Sequence, residues 1–436
     1  MTGTLRVGVV GVGYVGLTTA VCMAERGHHT IAVDVDPARV DRLGAGQSVI
    51  DEPGIPKLLR DGISRGALRF STDYAALADR DIAFVCVPTP EGYDGGADLR
   101  FVEAAVDRLG AVMSPDSVVA IKSTVPVGTS AAMGKRLRGS HIRVVSTPEF
   151  LREGRAVHDF RHPDRVVIGT RDDPDGLAAR TVRRAFGHAR VTLQMSAESA
   201  ELAKYASNAY LAVKLSYANS LAALCARVGA DIAEVTRCMG ADRRIGPDFL
   251  RPGPGWGGSC LPKDTAALLH TGRCHGVALA EVEAARTTNA GQAERITRAL
   301  ERTMGRPVAG ARVTVLGLTF KADTSDTRDS PALTICAQLH RAGALVMGYD
   351  PQLGHIDPAV LHRAGVTAVD EPYRAAKAAD AIVLLTEWPQ FTELDWRAVA
   401  REAPGAVVLD TRNVLDGHRV AALGLTYLGN VVPQGF

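Results

Sequence analysis

The chain opens with the arrangement that constrains its fold most. Leu5-Arg6-Val7-Gly8-Val9-Val10 has the composition of a buried strand, and it runs straight into Gly11-Val12-Gly13-Tyr14-Val15-Gly16 and a helical stretch from Leu17 to Arg26. A second strand-like run, Thr30 to Val33, ends at Asp34, eighteen residues past the last glycine. Strand, glycine turn, helix, strand and acid in that order predict the first βαβ unit of a doubly wound sheet that binds a dinucleotide. Gly11 permits the turn, Gly13 lets a pyrophosphate approach the backbone, and Gly16 lets helix and strand pack closely. The N–H groups at the helix start favour the phosphates. Asp34 would accept both ribose hydroxyls and repel a 2′-phosphate, which points to NAD rather than NADP. Arg39 lies close enough in sequence to reach the adenosine end, although a solvated helix charge is the plainer role.

Further strands are predicted at Ile82–Val87, Val118–Ile121 and Arg143–Ser146, and each ends in a polar, proline-marked turn. Ligands of open parallel sheets bind beyond the carboxyl ends of the strands. Thr89, Thr124, Glu149 and Glu153, which follow these strands, are therefore candidates to face a cofactor or substrate. From Ser196 to Val228 the pattern changes to a long helix without proline or glycine, apolar over most of its circumference. Lys204 and Asn208, four apart, share one face of it, and Asn219 falls near the same stripe. A lysine and an asparagine on such a helix need buried partners or a ligand.

The segment Pro252-Gly253-Pro254-Gly255-Trp256-Gly257-Gly258-Ser259-Cys260-Leu261-Pro262-Lys263-Asp264 has too many glycines for a sheet or helix interior. It predicts a tight loop against which a ligand can lie, ending in a cysteine whose thiolate Lys263 would favour. A half-buried thiol on a structural turn is the plainer alternative. A single helical run is expected from Thr265 to Arg302, then a linker at Gly305–Gly310. A second α/β unit follows, with strands at Arg312–Gly317, Leu345–Tyr349, Ala381–Leu385 and Val407–Asp410. It has no second Gly-x-Gly-x-x-Gly, but Lys321, Arg328 and Arg412 follow its strand ends and could meet a phosphorylated ligand.

Composition narrows the choice of function. The 436 residues, 46% hydrophobic and 22% charged, suffice for two or three globular domains. A net charge of +2 without a dense basic run gives no support to nucleic-acid binding. Seven scattered cysteines without a Cys-x-x-Cys pair suggest neither a disulfide framework nor a zinc site, so no metal is expected. The first predicted strand starts too early to leave room for a secretory signal, and no apolar run approaches membrane-spanning length, so a reducing cytoplasmic setting is expected.

An NAD site and an activated cysteine together suggest oxidation past an alcohol. A thiolate adds to an aldehyde, the adduct loses hydride to give a thioester, and water releases the acid. The oxyanion needs a donor such as Lys204 or Asn208. Hydrolysis needs a carboxylate such as Glu149, with Asp264 also available.

Motifs along the whole chain carry a resemblance. They are Val12–Gly16, Val-Pro-Thr-Pro at 87–90, Ser-Thr-Val-Pro at 123–126, Pro-Glu-Phe-Leu-Arg-Glu-Gly at 148–154, Glu201-Leu-Ala-Lys-Tyr-Ala-Ser-Asn208, Arg244-Ile-Gly with Phe249-Leu250, Gly257–Asp264, Phe320-Lys321 with Asp326–Ser330, and Arg412–Asp416. In this order they resemble the UDP-glucose/GDP-mannose dehydrogenase family, and its UDP-glucose branch most. The resemblance implies two Rossmann-like doubly wound domains joined by a long-helix central dimerisation domain, with boundaries at 1–195, 196–303 and 304–436. It implies four-electron oxidation of UDP-glucose at C6 to UDP-glucuronate, with two NAD⁺ consumed and Cys260 as nucleophile. Lys204 and Asn208 would hold oxyanion charge, and Glu149, Thr124 and Asp264 would serve the base and hydrolysis steps. Cofactor contacts would fall on Gly11, Gly13, Tyr14, Val15, Gly16, Asp34, Arg39, Thr89, Thr124, Glu153, Lys263 and Arg328. Substrate contacts would fall on Glu149, Phe150, Leu151, Arg152, Lys204, Asn208, Phe249, Leu250, Arg251, Pro252, Gly253, Gly257, Lys321 and Arg412. Arg244 would reach the neighbouring subunit of a homodimer. Trp256, Ser220 and Thr411 depart from the family pattern, and the first and last border the substrate region. The rival readings are a sister dehydrogenase for GDP-mannose or a UDP-N-acetylhexosamine and, more remotely, a non-catalytic NAD-binding regulator.

Overall fold

The computed structural model describes residues 3–429 apart from 94, 172, 174, 175 and 188. Its first sheet comprises β1 (Arg6–Val10), β2 (His29–Val33), β3 (Leu68–Ser71), β4 (Ile82–Val85), β5 (Val118–Ile121), β6 (Arg143–Ser146), β7 (Val166–Thr170) and β8 (Thr192–Ser196). They lie in the order β3-β2-β1-β4-β5-β6-β7-β8. All neighbours are parallel except β6 and β7, which meet antiparallel at Ser146 and Gly169. Strands β4 and β5 are buried at every residue, as their Val, Ile, Ala and Phe content requires of strands covered on both faces. Chain order reverses between β1 and β4, so the glycine turn after β1 and the Pro88–Pro90 turn flank the switch point.

The helix after the glycine turn is Tyr14–Glu25, three residues earlier than the apolar run suggested, with Gly13 as its N-cap. Its residues Gly16 to Ala24 are all buried, because it lies over the sheet and against helix Ile55–Ser64.

A second sheet contains β9 (Arg312–Leu316), β10 (Leu345–Tyr349), β11 (Val366–Ala368), β12 (Ala381–Leu384), β13 (Val407–Asp410) and β14 (Thr426–Gly429). The order is β11-β10-β9-β12-β13-β14, and every pair is parallel. The two sheets repeat one turn. Gly11 N–H donates to Val33 O at 2.8 Å and Val12 N–H to Asp34 Oδ2 at 2.8 Å. In the second sheet Gly317 N–H donates to Tyr349 O at 2.8 Å and Leu318 N–H to Asp350 Oδ2 at 2.7 Å.

The long helix spans Ala197–Val228, capped by Ser196 Oγ, which accepts from Ser199 N–H at 3.1 Å. The single run expected over Thr265–Arg302 is instead three helices, Leu261–Cys274, Ala280–Ala290 and Gln292–Met304. The first stops in a Schellman turn, with Gly276 left-handed and Val277 N–H donating to Gly272 O at 2.8 Å. Apolar periodicity could not reveal that stop. The chain divides into two compact units, residues 1–207 with 266–277 and residues 208–265 with 278–436. The central helical stretch is thus shared out rather than compact by itself. Helix Gln292–Met304, for instance, gives Ile296, Ala299 and Leu300 to the core under the second sheet. Among the described residues, no helix is long and apolar enough to cross a membrane.

Candidate active site

The glycine turn fits a dinucleotide. A Cβ on Gly16 would stand 1.7 Å from Gly11 O, so helix and strand touch there through bare backbone. A Cβ on Gly13 would meet nothing within 4 Å, which leaves a cradle open over the helix N-terminus where a pyrophosphate would lie. Asp34 is buried at 7% exposure, and its Oδ2 accepts from Val12 N–H and, at 3.4 Å, from Arg39. Asp34 is thereby fixed by the glycine loop itself. Tyr14 donates its hydroxyl proton to Glu52, a residue the sequence reading missed. Burial, then Glu52, push the Tyr14 pKa well above its ordinary value. Glu52 also accepts from Gly154 and Ala156 N–H at 2.7 Å, tying the glycine helix to the loop of Glu149 and Glu153. In sequence, Asp51-Glu52-Pro53-Gly54 looks like a solvated turn.

At the carboxyl ends of the middle strands, Lys204 Nζ donates to Glu149 Oε1 at 3.0 Å, and both residues are buried. Burial works to raise the Glu149 pKa. Lys204, the Leu151 N–H at 2.5 Å and Lys122 outweigh it and hold the carboxyl below its usual range. The Lys204 ammonium also faces the Phe150 ring at 5.3 Å. Arg152 pairs bidentately with Asp159, with Nη2 to Oδ1 at 2.6 Å. Thr89 is buried and Thr124 half-buried in their turns. Glu201, three residues before Lys204, accepts from Gly128 N–H at 2.6 Å and Ser130 N–H at 2.7 Å. It thus caps the helix that follows the Thr124 turn.

One turn past Lys204 on the same helix, Asn208 donates Nδ2 to Asp264 Oδ2 at 2.6 Å, and Lys263 Nζ donates to Asp264 Oδ1 at 2.5 Å. Asp264 is fully buried, so both donors are needed to offset the cost of its desolvation. The second Nδ2 hydrogen of Asn208 leaves one donor for another acceptor. Cys260 is partly exposed and stands just before helix Leu261–Cys274, its carbonyl accepting from Asp264 N–H at 2.9 Å. Its thiol lies where helix N–H dipoles favour negative charge, a support the sequence reading did not include. Lys263, which that reading aimed at the thiol, has its ammonium on Asp264.

The glycines before Cys260 fit the chain to itself. A Cβ on Gly257 would stand 1.9 Å from Asp329 O, and one on Gly258 would stand 2.8 Å from the Phe320 ring. On the side where a side chain would project at these two positions, the neighbour is therefore protein. Asn219 Oδ1 accepts from Gly253 N–H at 2.8 Å, and Gln292 donates to Gly253 O at 2.9 Å. Trp256 uses its indole N–H on Ser216 Oγ at 2.9 Å, a bond phenylalanine could not make. Phe249 sits at φ 61°, an uncommon conformation for a bulky residue, with Leu250 and Pro252 buried and Arg251 exposed after it. Arg412 donates to Leu385 O at 2.8 Å and Phe320 O at 3.3 Å and pairs with Glu387, so it meets Lys321's loop. Arg328 pairs with Asp326 at 2.6 Å and Arg244 with Asp242 at 2.6 Å, both largely exposed. Where the first unit has Gly13, the second has Thr319, whose hydroxyl, with the Trp388 indole, donates to Asp350 Oδ2. That carboxylate is filled by its own fold.

Two Rossmann-like units, one with an open dinucleotide turn and a buried acid, and a cysteine at a helix start define an NAD-dependent dehydrogenase. The family models of the UDP-glucose/GDP-mannose dehydrogenases match along the chain, with the NAD binding domain at residues 5–187, the central domain at 198–291 and the UDP binding domain at 314–417. The chain belongs to the UDP-glucose/GDP-mannose dehydrogenase family. A UDP-glucose 6-dehydrogenase from Rhizobium meliloti is 39% identical over 97% of this chain and 98% of its own. A UDP-glucose dehydrogenase from Pyrobaculum islandicum superposes with a TM-score of 0.90 at 36% identity, covering 99% of this chain and 98% of that one. A UDP-D-ManNAc dehydrogenase from Pyrococcus horikoshii gives 0.86 at 27% identity, covering 99% and 100%. The protein is an NAD-dependent oxidoreductase acting on a sugar nucleotide.

Proposed function

We propose that the chain oxidises UDP-glucose at C6 to UDP-glucuronate in a four-electron sequence. The observation that carries this reading is the buried pair of Glu149 with Lys204, on a helix that one turn later presents Asn208 to Asp264, four residues after a partly exposed cysteine at a helix start. NAD, when bound, accepts a hydride in each of two oxidations, so two are used per sugar. In the first, the C6 hydroxyl gives its proton to Glu149, directly or through a water, and becomes an aldehyde. Cys260 sulfur then adds to C6, and Lys204 and Asn208 hold the oxyanion. Loss of the second hydride leaves a thioester on Cys260. Glu149, with Thr124 and Asp264, orients the water that cleaves the C–S bond, giving the carboxylate and the free thiol.

Asp34 and Arg39 serve the adenosine end, and Tyr14, Val15, Thr89, Glu153, Lys263 and Arg328 complete the cofactor's surroundings. Phe249–Gly253, Gly257, Lys321 and Arg412, with Glu149–Arg152, serve the sugar nucleotide. We assign the domains to residues 1–195, 196–303 and 304–436 and the setting to the cytoplasm. The protein acts as a homodimer through the exposed face of helix Ala197–Val228, which carries Tyr210, Tyr217 and Leu224 seven apart, each more than half exposed. Arg244 reaches the second subunit's sugar nucleotide. UDP-glucose is favoured over an N-acetylated sugar because the two UDP-glucose relatives named above stand at 39% and 36% identity and the UDP-D-ManNAc enzyme at 27%. NADH release measured against UDP-glucose, GDP-mannose and UDP-N-acetylhexosamines tests the choice. UDP-glucose should give the highest kcat/KM, and a higher value for any other sugar nucleotide would overturn it.

A further inference from the structure

Lys122 follows β5 directly, just before the Ser123–Pro126 turn, and it is buried at 4% exposure. Strands β5 and β6 are in register at Ile121 and Ser146, so Lys122 leaves the sheet at the same level as the segment leading to Glu149. Its backbone N–H donates to Val85 O at 2.9 Å, and its ammonium stands 5.3 Å from the Phe186 ring centroid. The charges and titratable groups that act on it are Cys86 after β4, Glu149 after β6 and Lys204 on helix Ala197–Val228. Burial and then Lys204 lower its pKa, while Cys86 and Glu149 oppose them. Cys86 is buried, which pushes its thiol up to about 12, so it supplies no counter-charge near neutrality. This corner of the site therefore sets one carboxylate against two amines.

A buried ammonium far from any surface role is costly, and an apolar side chain of the same length would be cheaper for folding alone. The reaction supplies a reason for it. When Lys204 turns its charge to an oxyanion, Glu149 keeps its Leu151 N–H but loses its paired cation, and a buried carboxylate without a counter-charge takes up a proton. A protonated Glu149 cannot accept one from the C6 hydroxyl or from water.

We propose that Lys122 is a positioning residue for the oxidation, a second cation that keeps Glu149 ionised while Lys204 is engaged with the substrate. This rests on the reading of Glu149 as the base.

The test is the pH dependence of kcat for the full enzyme and for Lys122→Met. Loss of the cation raises the Glu149 pKa, so the acid limb should move to higher pH by about one unit or more, equivalent to a tenfold loss of kcat on that limb. NAD affinity and thermal midpoint should hold or rise, because a buried charge has been removed. Glu149→Gln should lack that limb, and adding Lys122→Met to it should shift nothing further. If Lys122→Met does not fold, Lys122→Gln carries the same expectation. A Lys122→Met profile that superimposes on the wild type overturns the proposal while leaving Glu149 as base intact. An acid limb that survives in Glu149→Gln overturns the assignment of Glu149 and, with it, this role for Lys122.

Discussion

Lys204 and Glu149 form a buried ion pair, and buried pairs seldom stabilise a fold over apolar residues of the same shape. In the proposed reaction their value lies in the charge they hold ready for a reacting carbon. His28 is the contrasting case, a buried titratable group with a structural use. Its Nδ1 accepts from Leu5 N–H at 3.2 Å, so Nε2 carries the proton and donates to Ala185 O at 3.1 Å. Burial lowers its pKa below the ordinary 6.5, only partly opposed by that bond to Ala185. Above that value neither folded nor unfolded chain binds the proton. Below it the unfolded chain does and the folded one resists, so stability falls as pH drops, by at most about 1.4 kcal/mol per unit. Urea unfolding at about pH 7.5 and about pH 5.5 should therefore show a smaller loss for His28→Gln, which keeps a donor and an acceptor but does not titrate. Equal losses in the two proteins would contradict this.

At the scale of elements, the glycine turn separates folding from binding. Gly16→Ala places a methyl inside bonding distance of Gly11 O and must push the helix off β1. It should lower stability by several kcal/mol, as overpacking of a rigid contact does, and abolish NAD binding. Gly13→Ala meets no protein atom, so its thermal midpoint should stay within a degree or two of wild type while NAD affinity falls at least about tenfold. Thermal denaturation and cofactor titration of the pair check this, and equal destabilisation by both would contradict it. The same turn was the most legible part of the sequence, since three glycines and Asp34 each answer one geometric demand. The reuse of the turn at Gly317 and Asp350 was not legible. Thr319 and Trp388 replace the open glycine, and a motif search sees only the missing glycines. Glu52 and Glu201 escaped for a related reason. Each is an acid that bonds backbone N–H groups far away in sequence, and an acid in a turn, like Glu52, or near a helix start, like Glu201, reads as solvated until those partners are in place.

On the scale of the whole molecule, the long helix was readable from its lack of glycine and proline, but its exposed aromatic face was not. Tyr210, Tyr217 and Leu224 sit among residues that are buried on the other faces, and apolar content alone could not separate the two sets. Tyr217→Glu should convert the protein from dimer to monomer in sedimentation while leaving NAD affinity within a few fold, since the dinucleotide turn lies in a unit that folds on its own sheet. On the proposal that Arg244 acts across subunits, kcat/KM for the sugar nucleotide should fall at least about tenfold. A variant that stays dimeric or a fully active monomer would contradict the proposed assembly.

In the proposed reaction one thiol carries the sugar carbon through both the second oxidation and the hydrolysis that follows it. The most direct test of this is the number of NADH molecules formed per UDP-glucose consumed, with the product identified, for the wild type and Cys260→Ser. The wild type should give two NADH and the acid. The variant should bind NAD normally and lose acid formation by on the order of 10³-fold or more. One NADH with an aldehyde product from the wild type, or two NADH and undiminished acid from Cys260→Ser, would contradict the thioester route.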